Sequence, residues 1–394
     1  MRILFLSRWF PYPVNNGSKL RIYNLLRGLS QYHDVTLLSF ADQPGADPEA
    51  PEIREICSKV RVIPWKEFSP NTLRARLAVL SFQPRSIVDT FSSEMAQTIT
   101  EFLNEQLYDL VIASQLQMAA YYPYFQDAPA IFEELEIGFF HDRAFSVEGT
   151  MRLRQALTWF KLRRYLSRLL DAYQACTVAS AQERQLVAEN FPGYTKPIEV
   201  IPNCLDIEEY KNVTAERKPN TLIFTGPFTY RANYDAMIWF VGEVFPLILK
   251  EVPDTHLIIT GDHGNLPLPA SKNITLTGYV DDIKILIASS SVSVAPLLSG
   301  GGTRLKILEA MALGTPVVAT PKGAEGLDVI SGEHLILANS PAEYADCVIK
   351  LLNDENLRLQ FAEKAQMLVQ DKYNWGRALS DYSRLINNIV NDIK

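Results

Sequence analysis

Short apolar runs alternate along this chain with longer stretches in which apolar residues recur every three or four positions. Ile3-Leu4-Phe5-Leu6 comes first. A polar loop follows, and then Leu20, Tyr23, Leu25, Leu26 and Leu29, which fall on one helical stripe. Strand-like runs recur at 34–40, 59–64, 108–113, 128–132, 172–178 and 198–201. The alternation then restarts, with runs at 221–225, 255–260, 273–276, 291–295, 316–319 and 334–337, several of them ending at glycine. Apolar strands separated by helical segments predict parallel sheets with helices on both faces. Two such series predict two domains. The polar stretch 208–220, with Lys211, Glu216, Arg217, Lys218 and Pro219, is the expected linker.

A length of 394 residues suits two cores better than one. Hydrophobic residues make up 47% and charged residues 21%, an ordinary globular composition that argues against disorder. The formal net charge of -7 argues against a protein that wraps nucleic acid by bulk charge. Cys57, Cys176, Cys204 and Cys347 lie far apart without metal or redox spacing, so reduced and mostly buried thiols are expected. Met1-Arg2 runs straight into an apolar strand, unlike a signal peptide, and no apolar run reaches the ~18 residues of a spanning helix. A cytoplasmic protein is expected.

The strongest chemical signal is Ser299-Gly300-Gly301-Gly302-Thr303-Arg304-Leu305-Lys306-Ile307-Leu308-Glu309-Ala310-Met311-Ala312, followed by Gly314-Thr315-Pro316-Val317-Val318. A strand enters a glycine loop, and the loop enters a helix with Thr303 as its expected N-cap. Glycines such as Gly301 and Gly302 let the backbone approach a phosphate, and the helix N-terminus attracts negative charge. Arg304 and Lys306 add cations. Glu309, three residues beyond Lys306 on the same helical face, can accept hydrogen bonds from ribose hydroxyls. A tight turn feeding a surface helix is the simpler structural alternative.

Two further signals lie in the first half. The loop Pro11-Tyr12-Pro13-Val14-Asn15-Asn16-Gly17-Ser18-Lys19 follows the first strand, where ligands of open parallel sheets bind. Gly17 would allow close approach, with Lys19 or Arg21 near it. Glu133-Glu134-Leu135-Glu136 clusters carboxylates at a strand end, where Glu134 and Glu136 could hold sugar hydroxyls or help deprotonate an acceptor. The basic stretch 152–168 interleaves Arg152, Arg154, Lys161, Arg163, Arg164 and Arg168 with Leu157, Trp159, Phe160, Leu162 and Leu166. It suits a core helix with a charged outer face, and also a helix lying on an anionic membrane.

The glycine loop and its helix resemble the C-terminal signature of the family 4 retaining glycosyltransferases, which share the GT-B fold. Gly278-Tyr279-Val280 with Asp282 resembles the segment bordering the nucleobase. Pro202-Asn203 with Asp206 resembles the domain junction, and Phe224-Thr225-Gly226 through Asn233, Asp235 and Ala236 the opening of the donor domain. Tyr373-Asn374-Trp375 resembles the start of the last helix. The resemblance implies an α/β fold of two Rossmann-like domains facing a central cleft. The acceptor-binding domain would span 1–207 and the nucleotide-sugar-binding domain 208–372, with a C-terminal helix at 373–394 returning to the first.

It also implies transfer of a sugar from a nucleoside diphosphate sugar to an acceptor hydroxyl, with retention and without a metal, in polysaccharide or glycolipid synthesis. Gly17, Tyr279, Val280, Gly301, Gly302, Thr303 and Glu309 would hold the donor. Three departures stand out. The first of the family's two spaced glutamates is replaced by Gly301, and Leu135 stands where many relatives place a histidine, with His141 nearby. The Arg and Lys that many members carry after the first donor-domain strand are replaced by Tyr230 and Arg231. Lys306 and Arg304 are then the expected phosphate cations, with Arg231 a third choice. No cofactor beyond the donor substrate is expected. The expected partners are a saccharide or lipid-linked acceptor and, at the periphery, the inner face of the cell membrane. A non-catalytic partner in polysaccharide assembly, a sugar-nucleotide epimerase and a phosphorylase on the same fold are the alternatives.

Overall fold

The computed structural model describes residues 1–41, 46–145, 150–269, 271–302 and 304–393. It divides into two compact units, Met1–Pro202 with Leu379–Lys394, and Asn203–Ala378.

The first unit holds a seven-stranded sheet of β1 (Arg2–Ser7), β2 (Asp34–Ala41), β3 (Lys59–Pro64), β4 (Leu110–Ser114), β5 (Ala130–Glu133), β6 (Ala175–Val178) and β7 (Ile198–Val200). The order is β3-β2-β1-β4-β5-β6-β7, and every pairing is parallel. Strands buried on both faces explain the unbroken apolar runs. Leu4, Leu6, Val111, Ala113, Ala130 and Phe132 turn one way into a core with Met95, Phe125, Trp159 and Leu166. Cys176 lies in the same core, and burial pushes its thiol up to about 12, so it is an inert apolar filler. Cys57, Cys176 and Cys204 are free and buried, and Cys347 is free and half-buried.

The helix Trp375–Ile393 contributes its later part to this unit. Tyr382, Leu385, Ile386, Ile389 and Val390 are buried at the spacing of one amphipathic stripe. Leu379 presses on the glycine face of the helix Gly17–Ser30, where a Cβ on Gly28 would lie 2.3 Å from Leu379 Cδ2.

The second unit holds β8 (Thr221–Thr225), β9 (His256–Thr260), β10 (Ile274–Gly278), β11 (Val292–Ala295), β12 (Val317–Ala319) and β13 (Ile336–Leu337). Their order is β10-β9-β8-β11-β12-β13, again all parallel. Alternation along β8 sends Leu222 and Phe224 into one core with Phe240 and Tyr344, and Ile223 into the other with Leu308 and Met311. The expected linker at 208–220 is corrected by this unit, which begins at Asn203 and includes all of it. Arg217 Nη2 donates to the Gly314 carbonyl at 2.8 Å, and Lys218 N to the Ser289 carbonyl at 2.7 Å. The polar residues are there because the segment runs along the surface of the unit. Among the described residues no helix is long and apolar enough to cross a membrane.

Candidate active site

In the second unit the chain leaves β8 toward β9 and β10, then returns to β8's other side at β11. That reversal opens a crevice beyond the carboxyl ends of β8 and β11, the place where open parallel sheets bind ligands. Gly226 follows β8 directly, with φ 137, a conformation that side chains rarely adopt. A Cβ there would lie 2.6 Å from Asn233 Nδ2 and 3.0 Å from Lys306 Nζ. Asn233 Nδ2 donates to the Pro227 carbonyl at 2.8 Å, which leaves its Oδ1 to accept from Lys306 Nζ at 2.8 Å. The ammonium also sits 4.1 Å from the centroid of the Phe224 ring. Gly226, Asn233, Phe224 and Lys306 thus form one cradle drawn from one strand end and two helices. Gly226→Ala should lower stability by about 1–3 kcal/mol in urea denaturation. Unchanged stability would mean that Asn233 and Lys306 move aside freely.

Burial lowers the Lys306 ammonium to about 7, with the Arg304 charge acting the same way and Glu309 opposing. The amine is therefore poised near neutrality to gain a proton when an anion arrives. Glu309 lies one helical turn further along Leu305–Ala312, where burial raises its carboxyl to about 7 against the pull of Tyr210 and Lys306. The Tyr210 hydroxyl donates to Glu309 Oε1 at 3.3 Å. Tyr210 comes from the short helix Glu208–Lys211, inside the stretch read as linker.

Arg304 corrects the expectation of two free cations. It is buried, donating from Nη1 to the Gly301 carbonyl at 3.1 Å and from Nη2 to the Gly300 and Lys322 carbonyls at 3.0 Å. Glu325 lies 3.7 Å away. Its charge is spent on holding the glycine loop, so it is a positioning residue. Gly300 has φ 99 and Gly302 φ 82. A Cβ on Gly300 would meet the Tyr230 hydroxyl at 2.4 Å, so Tyr230 lies against the loop. The helix begins at Leu305 with Arg304 in the capping position, and Thr303 lies outside the described residues.

Arg231 is likewise engaged elsewhere, paired with Asp235 at 2.8 Å on an exposed helix face. Tyr279 is exposed and Val280 half-buried, just past Gly278 at the end of edge strand β10.

The first unit reverses its strand order between β1 and β4. Gly17 begins the helix Gly17–Ser30, capped by Asn16 Oδ1 accepting from Lys19 N at 2.9 Å. The structure splits the acidic cluster three ways. Glu133 is buried and meets Arg21 at 2.6 Å, and it accepts from Ser114 Oγ at 2.7 Å. Arg21 Nη1 also donates to the Ile201 carbonyl at 2.8 Å, so Arg21 belongs to the fold and is not a donor-binding cation. Glu136 is exposed, and Leu135 between them is core. His141 packs against Phe145 and Trp159.

Glu134 alone remains at the strand ends. Its φ of 56 and that of Gln115, 69, place two ordinary residues in the left-handed region just past β5 and β4. Gln115 Nε2 donates to Glu134 Oε2 at 2.9 Å and reaches Ser18 Oγ at 3.5 Å. Burial raises the Glu134 carboxyl, with Arg21 opposing. The sequence reading missed Gln115, although it lies two residues past the apolar run ending at Ala113. Among the described residues no group of three or more His, Cys, Asp or Glu could hold a metal ion.

Two doubly flanked parallel sheets, each with its ligand crevice at a strand-order reversal, define the α/β class of GT-B proteins. Residues 219–354 match the family described as glycosyl transferases group 1. It is similar to an uncharacterised glycosyltransferase of Methanocaldococcus jannaschii, 32% identical over 228 residues, covering 53% of this chain and 57% of the relative. It is also similar to a phosphatidyl-myo-inositol mannosyltransferase of Mycobacterium leprae, 27% identical over 204 residues, covering 48% of this chain and 53% of the relative. The chain spans about half the length of the curated relatives it matches. Its fold is similar to that of Anabaena HepE in complex with UDP-glucose, with a TM-score of 0.65, 15% identity and coverage of 98% and 100% of the two chains.

Proposed function

We propose that this protein transfers a sugar from a nucleoside diphosphate sugar to an acceptor hydroxyl with retention of configuration, in polysaccharide or glycolipid synthesis. The observation that carries the reading is the cradle of Gly226, Asn233 and Lys306, with Glu309 on the same helical face as Lys306. The departing diphosphate gains negative charge as the glycosidic bond breaks, and stabilising that charge lowers the barrier. Lys306 supplies the positive charge, and the first turn of Leu305–Ala312 adds backbone N–H groups. Glu309 exchanges its Tyr210 partner for ribose hydroxyls. In the first unit Glu134, with Gln115 and Ser18, receives sugar hydroxyls. No side chain is placed here as a covalent nucleophile; attack on the same face as the departing phosphate accounts for retention.

UDP-glucose is the first donor to test, since HepE binds it, and a phosphatidylinositol the first lipid acceptor. A donor at 100 times its dissociation constant should add about 2.7 kcal/mol to stability in a thermal-shift screen. Free nucleoside diphosphate should then appear only when acceptor is present, and with excess EDTA as without it. No stabilisation by any nucleotide sugar would sink the reading. Loss of turnover in EDTA, restored by magnesium or manganese, would replace Lys306 with a metal ion as the main source of charge.

A further inference from the structure

Residues 71–85 and the helix Thr150–Leu170 carry nine Lys and Arg residues and no Asp or Glu, in a chain of formal net charge -7. The concentration is local and runs against the charge of the whole protein. The first segment also exposes apolar side chains that have a core-seeking character: Leu80 is 88% exposed, Phe82 66%, and Leu73 and Leu77 are exposed beside them. The outer face of the helix adds Leu157 and Phe160, the latter 61% exposed. The two segments are joined. Lys161 Nζ donates to the Val79 carbonyl, and the Arg164 guanidinium lies 5.3 Å from the centroid of the Phe82 ring.

Scattered exposed apolar residues need no explanation, but a contiguous group ringed by arginines does. The helix's inner stripe, Trp159, Leu162, Leu166 and Leu169, is already buried in the core, so these outer residues are surplus to the fold. Beside them runs a groove of ≈ 690 Å³ lined by residues including Phe160, Arg163, Arg164, Arg168, Asp171 and Tyr194, a size and charge suited to an anionic headgroup.

We propose that this face docks the first unit on an anionic lipid bilayer, with Leu77, Leu80 and Phe82 entering the interface and the arginines meeting lipid phosphates. Charge complementarity selects this occupant. A single-sign basic face on an acidic protein is repelled by a second copy of itself, whereas an anionic leaflet contributes about 1 kcal/mol for each arginine close to it. The inference does not depend on the transfer reaction.

Flotation of the full chain with vesicles tests it. Binding is expected to phosphatidylcholine vesicles containing phosphatidylglycerol, weakening with salt, and not to phosphatidylcholine alone. L80S with F82S should abolish flotation. R163Q with R164Q should lower the partition coefficient about 30-fold. All variants should keep wild-type circular dichroism and nucleotide affinity, which separates this result from any failure of the proposed reaction. Absence of binding to anionic vesicles, equal binding to both lipids, or variants that bind like wild type would overturn the proposal. So would lipid-free dimers, seen by sedimentation, that dissolve in L80S with F82S, because the face would then join two copies of the chain.

Discussion

Lys306→Ala should lower turnover about 100-fold or more, the scale on which a preorganised charge stabiliser acts. The structure gives this residue the only described side-chain cation at the Gly226 cradle, since Arg304 is committed to loop carbonyls and Arg231 to Asp235. The sign of the stability change separates this role from a structural one. The folded-state ammonium is lowered to about 7 from 10.5, so the unfolded chain binds more protons between those values and stability rises with pH across that window. Below about 7 the cost of holding the buried charge is felt in full. Lys306→Met should therefore hold or raise stability at neutral pH while removing activity.

Affinity for the nucleotide gives a second readout. Lys306 is charged below about 7 and Glu309 ionised above about 7, so affinity should peak near neutrality and fall on both sides. Glu309→Gln should flatten the acid limb alone. If Lys306→Ala keeps wild-type turnover while Arg231→Ala is inactive, the phosphate cation is Arg231.

Glu133→Ala should cost about 3–5 kcal/mol in urea denaturation, because it takes away the carboxylate bonded to the buried Arg21 and leaves only Glu134, at 3.6 Å. Both side chains are 0% exposed and 2.6 Å apart. Replacing the pair together, Arg21→Met with Glu133→Leu, should recover most of that loss, since apolar packing replaces two desolvated ions. A loss under about 1 kcal/mol in the single variant would show that Glu134, 3.6 Å away, or water takes over the Arg21 charge.

The two proposed sites were legible in the sequence to different depths. Strands such as 221–225 could be read because a parallel strand covered on both faces is buried at every position and so carries an unbroken apolar run, here Leu222-Ile223-Phe224. The glycine loop could be read because its composition has few other uses. What could not be read was where each charge is spent. Arg304 and Lys306 look equivalent along the chain, yet one is consumed by carbonyls and the other is held toward the crevice by Asn233, 73 residues away. Glu133, Glu134 and Glu136 look like one cluster, and strand alternation with a left-handed turn sends them to three environments. The Tyr210 contact to Glu309, across 99 residues of sequence, carries no local signal, and polar neighbours disguised its helix as a linker.

The helix Trp375–Ile393 gives the first unit two pieces of chain separated by the whole of the second. On the ribosome this reverses the usual order of completion. At roughly 5–20 residues per second, the segment up to Pro202 waits on the order of 10–40 s for the stripe of Tyr382, Leu385, Ile386, Ile389 and Val390 to be made. Through that interval the second unit can close, while the first carries an open apolar seam along the helix Gly17–Ser30. That seam is where a nascent-chain chaperone would hold it. A cut between the units would leave a fragment that keeps its partner's last helix, so cleavage there yields a nicked complex and not two free domains.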